Sequence, residues 1–313
     1  MGFMQKRVLV IGAANVDLTM FLDYMPGNGQ TVVGNKFRFL PSGKGANTAV
    51  AVSRLGTGAL LCTRTGKDMN GDRVRRIFAE EKIDMRFLSS DQAKPTGLSV
   101  VLNDASGAER AVVFPGANSS VTEADVEAAF TSYPDAAILQ FEMPENVILA
   151  AARFAADQGI PLILDPVPAR RSFPFERMDP VEIFSPNANE TYLYTGIMPT
   201  GTEKTLLACR ELTKIVKASY YVIKLGDRGA FVFDGKYYNV VPGYDVKVVD
   251  HTCAGDAFTA ALTCEYLETG NINEAAAFAN LAGALAVSKV GTIPSLPTRD
   301  EVLAFADKLG VSL

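Results

Sequence analysis

The sequence predicts an α/β protein built on a mostly parallel sheet with helices on both faces. Short apolar runs typical of strands alternate with longer segments of helical periodicity along most of the 313-residue chain. This alternation requires crossover connections, which place helices against a parallel sheet. Hydrophobic residues make up 48% of the chain and charged residues 21%, so there is enough apolar material for a large core. No repeat or linker interrupts residues 1–313, which we interpret as a single domain.

The predicted elements follow one another in a regular order. Short runs of buried-type residues predict strands at Val8–Ile11, Ala136–Phe141, Ile160–Leu164, Val181–Phe184, Tyr220–Leu225 and Ala230–Phe233. Helical periodicity bounded by glycine or proline predicts helices at Lys44–Leu55, Pro144–Gln158, Glu203–Lys217, Asp256–Thr269 and Asn273–Ser288. Thr298 and Glu301 form a capping box that predicts the start of a last helix. Ligands of such folds bind beyond the carboxyl ends of the strands, where we look for functional residues.

Two stretches interrupt this alternation. They run from about Val16 to Leu40 and from about Thr96 to Phe114, and both are rich in β-forming and turn residues such as Ser106 and Gly107. We predict that each stretch is a hairpin added to the core. A β lid over the site and a plain extension of the sheet edge are equally consistent with the pattern.

Composition argues against several kinds of partner. The 30 Lys and Arg residues against 35 Asp and Glu give a net charge of −5 with no basic stripe, so a nucleic-acid partner is not expected. The apolar runs are too short to span a membrane, and no signal peptide is evident. The four cysteines form no CxxC pair, so we expect neither a zinc site nor a disulfide framework. We therefore predict a protein of the reducing cytoplasm.

The segment Asp250–Asp256 leads directly into an apolar helix. Its small residues would leave backbone N–H groups free at the helix N-terminus, where the helix dipole favours an anion such as phosphate. Asp256 would then lie beside that phosphate, where a general base for a hydroxyl is needed. The alternative is a capping role for Asp256 beside a tight glycine turn, which this segment alone slightly favours.

A second loop of small residues, Ser42–Asn47, opens another helix. Its Gly-Lys-Gly sequence is not a Walker A loop, because Gly45 follows Lys44 where a serine or threonine would be needed to hold magnesium. The loop either brings backbone amides, Lys44 and Asn47 to a polyol or is a tight turn that packs the helix on the sheet.

Polar residues also follow the first strand. Asn15 and Asp17 suit sugar hydroxyls, or alternatively an Asx turn. Gly12 alone does not complete the GxGxxG motif of a dinucleotide site, so that interpretation is weak.

Two more polar segments follow later strands. Asn187 and Glu190 lie three residues apart and suit a hydrated Mg²⁺ with phosphates, or a helix cap. The turn Lys224–Gly229 would approach a nucleotide or simply close a hairpin. Because all these segments lie at strand ends of one sheet, together they indicate phosphoryl transfer to a small hydroxylated substrate.

The sequence resembles the ribokinase-like (PfkB) carbohydrate kinases over essentially its whole length. The residues that carry the resemblance are Gly43–Ala49 with Gly56 and Gly66 after it, Leu139–Glu142, Asp165–Arg170, Pro186, Asn187 and Glu190, Asp250–Asp256, and Gly291–Ser295. Within the family, their order and spacing are most similar to those of the ribokinases. The resemblance implies a three-layer α/β/α core with a small β lid at about 13–42 and 95–116. It also implies ATP, Mg²⁺ and an activating K⁺ as cofactors, and a homodimer formed through the lid.

The resemblance also implies roles for individual residues. Asp256 would be the catalytic base, and an anion hole for the γ-phosphate would be formed by the amides of Cys253, Ala254, Gly255 and Asp256. The sugar would be held by Asn15, Asp17, Gly43, Lys44, Asn47, Glu142 and Asp256. The nucleotide site would be lined by Asn187, Lys224, Gly226, Gly229, Gly255 and Asn280, and Glu190 would organise Mg²⁺ directly or through water. The K⁺ site would use Asp250, Thr252, Ala286, Lys289, Gly291 and Ser295.

The implied function is ATP-dependent phosphorylation of the primary hydroxyl of a small sugar. Ribose, converted to ribose 5-phosphate, is the first expectation. Ser42 replaces the first glycine of a usual pair, which raises the alternative of a kinase for fructose, deoxyribose, another ketose or a nucleoside. His251, Cys253 and Lys224 also depart from the usual family residues.

Two other classes of protein are weaker hypotheses. A catalytically silent sugar- or nucleotide-binding regulator needs no base, so the joint presence of Asp256, Asn187 and Glu190 argues against it. A nicotinamide oxidoreductase would require the missing GxGxxG motif.

Overall fold

The computed structural model describes residues 5–106 and 108–311, which form two sheets and the helices around them. The strands are β1 (Arg7–Ile11), β2 (Asn15–Leu22), β3 (Lys36–Ser42), β4 (Gly58–Gly66), β5 (Leu88–Asp91), β6 (Gly97–Asp104), β7 (Glu109–Phe114), β8 (Ala136–Gln140), β9 (Leu162–Asp165), β10 (Val181–Phe184), β11 (Ala218–Lys224), β12 (Ala230–Phe233) and β13 (Tyr238–Val241). The helices are α1 (Lys44–Arg54), α2 (Met69–Glu80), α3 (Glu123–Phe130), α4 (Glu145–Gln158), α5 (Ala188–Thr195), α6 (Thr202–Ile215), α7 (Ala254–Thr269), α8 (Ile272–Val287) and α9 (Arg299–Leu309).

The larger sheet has nine strands in the order β13-β12-β11-β10-β9-β8-β1-β4-β5. Neighbouring strands from β11 to β5 are parallel, and only β12 and β13 add antiparallel pairs at one edge. The carboxyl ends of the parallel strands therefore meet at one side of the sheet. The predicted mostly parallel sheet is confirmed.

Two apolar clusters cover the two faces of this sheet. Alternate residues of β1 divide between them. Val8 and Val10 belong to the cluster that also contains residues of α1, α7 and α8, whereas Leu9 and Ile11 belong to the one that contains residues of α3, α4 and α6. Since both faces bury apolar side chains, the strands read as continuous hydrophobic runs, which is the pattern that predicted them. The predicted three-layer α/β/α core is confirmed.

The smaller sheet has the strand order β3-β2-β6-β7. β2 and β3 form one antiparallel pair, β6 and β7 form another, and a parallel β2–β6 pair joins them. Both predicted hairpins are therefore confirmed, although Gly107 of the predicted Ser106–Gly107 turn lies outside the described residues. The plain edge extension is wrong, because these strands form a sheet of their own.

Helix ends follow the predicted stop and start signals closely. Gly159 ends α4 in the left-handed region at φ 65°, and the Thr298–Glu301 capping box starts α9. α7 begins at Ala254, two residues before the predicted start, because Cys253 takes the N-cap position at φ 63°. None of the helices within the described ranges has the length and hydrophobicity that crossing a membrane requires.

Candidate active site

A cavity of about 1330 Å³ lies between the small sheet and the carboxyl ends of the large sheet's strands. Sites for one small molecule typically measure about 300–1,000 Å³, so this cavity has room for two ligands side by side. Most of the predicted site residues line it: Asn15, Asp17, Gly43, Lys44, Asn47, Glu142, Asn187, Glu190, Lys224, Gly226, Gly229, Asp250, Thr252, Cys253, Ala254, Gly255, Asp256, Asn280 and Gly291. The lining does not include Ala286, Lys289 or Ser295.

One face of the small sheet is turned toward the cavity. Every second residue of β2, from Asn15 through Asp17 and Thr19 to Phe21, lines it, as the alternation of side chains along a strand requires. Burial raises the pKa of Asp17 from its ordinary 3.8 to about 6; a hydrogen bond from the Ser42 hydroxyl opposes this shift and the charge of Asp256 adds to it. A hydroxylated ligand that donates to Asp17 would stabilise its charged form.

The opposite face of the small sheet is apolar and exposed. Phe37, Val112 and Phe114 are 66%, 73% and 52% exposed, and none of them lines the cavity. Strand alternation places these three away from it.

The start of α1 shows both features that the sequence left as alternatives. Gly43 has φ 101°, and a Cβ there would lie 2.6 Å from the carbonyl oxygen of Ala13, so only glycine fits. A Cβ on Gly45 would lie 2.4 Å from the backbone of Gly12, so the loop is indeed a close packing turn. The same turn places Lys44 and Asn47 in the lining of the cavity.

Asp256 lies in the first turn of α7 and is 3% exposed. Asn47 Nδ2 donates to its Oδ2 at 2.9 Å, and Lys44 Nζ lies 3.8 Å from its Oδ1. Within the described part of the chain, Oδ1 has no hydrogen-bond partner and no side chain caps α7, so the capping interpretation of Asp256 is wrong. The charge of Asp256 is the main reason that the pKa of Lys44 lies above its ordinary value. A buried carboxylate oxygen without a donor is suited to accept a hydroxyl proton from a ligand.

The N-terminus of α7 offers backbone donors to the same cavity. The first N–H groups of a helix have no partner within it, and here Ala254, Gly255 and Asp256 occupy these positions in the cavity lining. Burial, together with the charge of Asp256, raises the pKa of the Cys253 thiol well above its ordinary value, so the thiol stays protonated. The arrangement suits an anion.

Asn187 and Glu190 form a capping box at the start of α5. The Asn187 side chain accepts from Glu190 N at 2.9 Å, and the Glu190 carboxylate accepts from Asn187 N and Nδ2, both at 2.8 Å. The helix-cap alternative is thus present in the structure, while both residues also line the cavity. Burial raises the pKa of Glu190 to about 7, and the charge of Lys224 opposes that rise.

Lys224 pairs with a residue to which sequence reasoning gave no role, Asp165. Lys224 Nζ lies 2.8 Å from Asp165 Oδ1, and Thr259 donates to Asp165 Oδ2 at 2.9 Å. Asp165 ends β9 and lines the cavity. Its position at a strand end, inside a segment that carried the family resemblance, was the available signal.

The turn after β11 is a hairpin turn that also borders the cavity. Gly226 and Gly229 have φ 67° and 88°, and a Cβ on Gly229 would lie 2.1 Å from the carbonyl oxygen of Val241. Asn280 donates to the carbonyl oxygens of Val241 and Pro242 at 3.1 and 3.0 Å. The Asn280 amide therefore holds this wall of the cavity in place.

The Asp250 loop is fastened to the segment after α8. The Asp250 carboxylate accepts from the amide and hydroxyl of Thr252 and from the amide of Gly291. Burial alone would raise the pKa of Asp250, but these hydrogen bonds outweigh it and hold the pKa below its ordinary value. Lys289 N donates to the Ala286 carbonyl and Ser295 Oγ to the Thr292 carbonyl. The predicted K⁺ ligands therefore lie on two segments, the Asp250 loop and residues 286–295, which the hydrogen bond from Gly291 N to Asp250 joins.

Comparison with known proteins decides the family. The sequence pattern of the pfkB family of carbohydrate kinases matches residues 5–299. This chain belongs to that family. The predicted resemblance and the predicted enzyme class, an ATP-dependent sugar kinase, are therefore confirmed.

Individual relatives support the same assignment. The chain is 30% identical to the ribokinase of Haemophilus influenzae over 306 residues, covering 97% of this chain and 99% of that protein. It is 27% identical to the deoxyribokinase of Salmonella typhi, covering 94% and 96% of the two chains. The structure of Arabidopsis thaliana ribokinase complexed with ribose and ATP superimposes with a TM-score of 0.88 at 28% identity, covering 96% of this chain and 99% of that one.

The donors in the cavity fit a nucleotide with a hydrated magnesium ion. The described residues contain no cluster of three or more His, Cys, Asp or Glu side chains that would cage a metal. Mg²⁺ instead commonly keeps several waters and takes one or two carboxylates plus phosphate oxygens. Glu190 supplies a carboxylate, and the start of α7, which no side chain among the described residues caps, supplies N–H donors for the phosphates.

Proposed function

We propose that this kinase transfers the γ-phosphoryl group of ATP to the primary hydroxyl of a small sugar, with ribose converted to ribose 5-phosphate. The observation that carries the proposal is a buried Asp256 oxygen at the N-terminus of α7: among the described residues this oxygen has no hydrogen-bond partner and the helix has no side-chain cap. Base and anion site are then adjacent, as transfer between a hydroxyl and a phosphate requires. The relative from Arabidopsis thaliana, solved with ribose and ATP, supports this choice of ligands.

The chain's own residues would act in the following way. Asp256 Oδ1 takes the proton of the sugar hydroxyl as its oxygen bonds to the γ-phosphorus, and the bond from that phosphorus to the bridging oxygen breaks to release ADP. Asn47 holds the other carboxylate oxygen and thereby orients Asp256. The amides of Cys253, Ala254, Gly255 and Asp256 donate to the phosphoryl oxygens, whose charge they stabilise.

The sugar and nucleotide would occupy opposite ends of the cavity. Asn15, Asp17, Gly43, Lys44, Asn47 and Glu142 would hold the sugar below the small sheet, which we propose acts as the lid. Asn187, Lys224, Gly226, Gly229, Gly255 and Asn280 would line the nucleotide. Mg²⁺ held through Glu190, directly or through water, would neutralise phosphate charge.

Three further features belong to the proposal. A K⁺ ion would bind the Asp250 carboxylate and backbone oxygens of Thr252, Ala286, Lys289 and Gly291, with Ser295. The exposed face that carries Phe37, Val112 and Phe114 would form a homodimer interface through the lid, which light scattering of the purified protein tests. The cytoplasmic location and the lack of nucleic-acid and membrane partners stay predictions.

Another sugar is the second candidate. Ser42 lines the cavity together with Asp17, and its side chain acts to lower the pKa of the Asp17 carboxyl, so a serine at this position changes the surroundings of a residue that we propose holds the sugar. The similarity to a deoxyribokinase supports a substrate with a different hydroxyl pattern. Deoxyribose, fructose, other ketoses and nucleosides therefore belong in the first assay.

The test is ATP consumption against that panel with Mg²⁺, with K⁺ present or replaced by Na⁺. Asp256→Asn should lower kcat by roughly 10²–10⁴-fold because the base is lost. The control Asp157→Asn changes an exposed aspartate on α4 and should leave kcat unchanged. Near-wild-type turnover of Asp256→Asn would overturn the proposal, and turnover with another sugar alone would replace ribose.

A further inference from the structure

The Lys224–Asp165 pair is unusually well buried for two charged groups. The side chain of Asp165 is 1% exposed and that of Lys224 is 11% exposed, at an Nζ–Oδ1 distance of 2.8 Å. Desolvating two charges costs about as much as their attraction returns, so such a pair is weak evidence for a purely stabilising role. A functional reason for retaining it is worth seeking.

The Lys224 ammonium can donate more hydrogen bonds than its contact with Asp165 uses. An ammonium carries three N–H donors, and among the described residues Asp165 is the one acceptor that this group contacts. The remaining donors are almost excluded from bulk water, yet the side chain belongs to the wall of the cavity. A ligand with several acceptor oxygens would satisfy them.

Neighbouring elements indicate which oxygens these are. β11 lies beside β10, and Lys224 pairs through its backbone with Asn187 at the start of α5. On the other side, Asp165 accepts from Thr259, which lies three residues after Asp256 on the same helix. The ammonium therefore faces the cavity that the uncapped α7 N-terminus also faces, and both favour negative charge.

We propose that Lys224 is a catalytic residue that donates hydrogen bonds to the phosphate oxygens of the bound nucleotide, and that Asp165 and Thr259 are positioning residues for its ammonium. This inference rests on the proposed function, because it needs a nucleotide in the cavity. During transfer, the Lys224 ammonium neutralises part of the phosphate charge. Asp165 holds the flexible Lys224 side chain in one position. The pairing of Asp165 with Thr259 in turn fixes the carboxylate relative to α7.

Calorimetric titration with ADP and with adenosine tests the phosphate contact without any turnover. Lys224→Met should weaken ADP binding about tenfold or more, because charge-assisted hydrogen bonds are lost, and should leave adenosine binding unchanged. Lys224→Arg should recover part of the loss. Lys214→Met is the matched control, since Lys214 also pairs with a carboxylate, Glu211 at 2.7 Å, but lies at the surface.

Wild-type ADP affinity in Lys224→Met, or an equal loss of ADP and adenosine affinity, would overturn the phosphate contact. So would a wild-type protein that does not bind ADP. If the wild type binds ADP but transfers no phosphate to any sugar, the proposed function is wrong. The comparison of ADP and adenosine binding by the wild type and Lys224→Met then still tests the role of Lys224. In the active enzyme, Lys224→Met should lower kcat roughly 10²-fold with an unchanged KM for the sugar.

A double-mutant cycle tests the positioning role of Asp165. Asp165→Asn should weaken ADP binding and lower kcat when Lys224 is present, and should add little in the Lys224→Met background, where there is no ammonium to hold. The double variant Asp165→Asn/Lys224→Met replaces both charges by neutral groups of similar size and leaves no buried charge without a partner. It can therefore be measured even if Asp165→Asn alone folds poorly. Additive effects, or rescue of Asp165→Asn by excess Mg²⁺, would overturn the positioning role.

Discussion

Two lysine–aspartate pairs line one cavity and differ in almost every physical respect. In the first, Lys44 Nζ lies 3.8 Å from Asp256 Oδ1, Lys44 is 35% exposed, and that carboxylate oxygen has no hydrogen bond among the described residues. In the second, Lys224 and Asp165 are in direct contact at 2.8 Å, and the other Asp165 oxygen accepts from Thr259. We call Lys44–Asp256 the open pair, because one carboxylate oxygen is left for a ligand. We call Lys224–Asp165 the closed pair, because both carboxylate oxygens have partners.

The contacts of the two aspartates indicate different roles for them. A carboxylate whose oxygens are both satisfied gains little from a new proton, whereas an unsatisfied buried oxygen gains a partner by taking one. We therefore infer proton transfer at the open pair and placement of charge at the closed pair. Substitutions in the two pairs should therefore differ in their effects on stability and on ligand binding.

The largest expected difference is in stability. Asp165→Asn leaves the Lys224 ammonium buried and unpaired, so the free energy of unfolding should fall by about 3–5 kcal/mol. Asp256→Asn leaves a partly exposed lysine that water can reach, and should cost less than about 1 kcal/mol. Urea denaturation without ligands measures both.

In the same experiment, Lys214→Met reports the loss of a surface pair and should stay within about 0.5 kcal/mol of the wild type. Equal losses for Asp165→Asn and Asp256→Asn would contradict the distinction between the closed and the open pair.

The second difference concerns the ligand that each lysine serves. Lys44→Met should raise the KM for the sugar roughly tenfold and leave ADP binding unchanged, because Lys44 lies beside Glu142 and Asp256, at the end of the cavity that we propose holds the sugar. This is the reverse of the pattern expected for Lys224→Met. Sugar kinetics and ADP calorimetry on the two variants measure it, and a shared loss of ADP affinity would show that the cavity is not divided in this way.

A third effect is a pH dependence at the proposed sugar end, where burial raises the pKa of Asp17 to about 6. Since the folded pKa lies above the ordinary 3.8, the burial of Asp17 costs stability above about pH 6, and this cost disappears as the pH falls toward 3.8. Asp17→Asn should therefore be more stable than the wild type at pH 8, by roughly 1–3 kcal/mol, and equally stable near pH 4.

Urea curves at the two pH values measure this effect. Sugar binding should show the opposite trend, because the charged carboxylate accepts sugar hydroxyls, so the KM for the sugar should rise below about pH 6. A stability difference between Asp17→Asn and the wild type that does not change with pH would mean that Asp17 is not a buried titrating group.

Local signals in the sequence predicted much of the fold and part of the site. The glycine after α4 and the Thr298–Glu301 capping box act within one or two turns of backbone, so their effect is readable without tertiary structure. Taken alone, the segment around Asp256 slightly favoured the alternative of a helix cap, which is wrong, because the side-chain partner of Asp256, Asn47, lies 209 residues away in the sequence. Asp165 received no role because Lys224 is 59 residues away on another strand.

The amino-acid sequence was sufficient to predict the alternation of strands and helices, the two hairpins and the polar loops at strand ends, because periodicity and turn chemistry are local properties. It did not predict β4, β5, β13, α2, α3 or α5. Which face of the small sheet meets the cavity, and which charges meet across it, depends on the tertiary structure. Side chains from β9, β11, α1 and α7 come together only when the parallel strands align their carboxyl ends. Whether a buried carboxylate is closed by a partner or left open for a ligand then depends on distances of a few ångströms, because the energy of a buried charge depends on its immediate contacts.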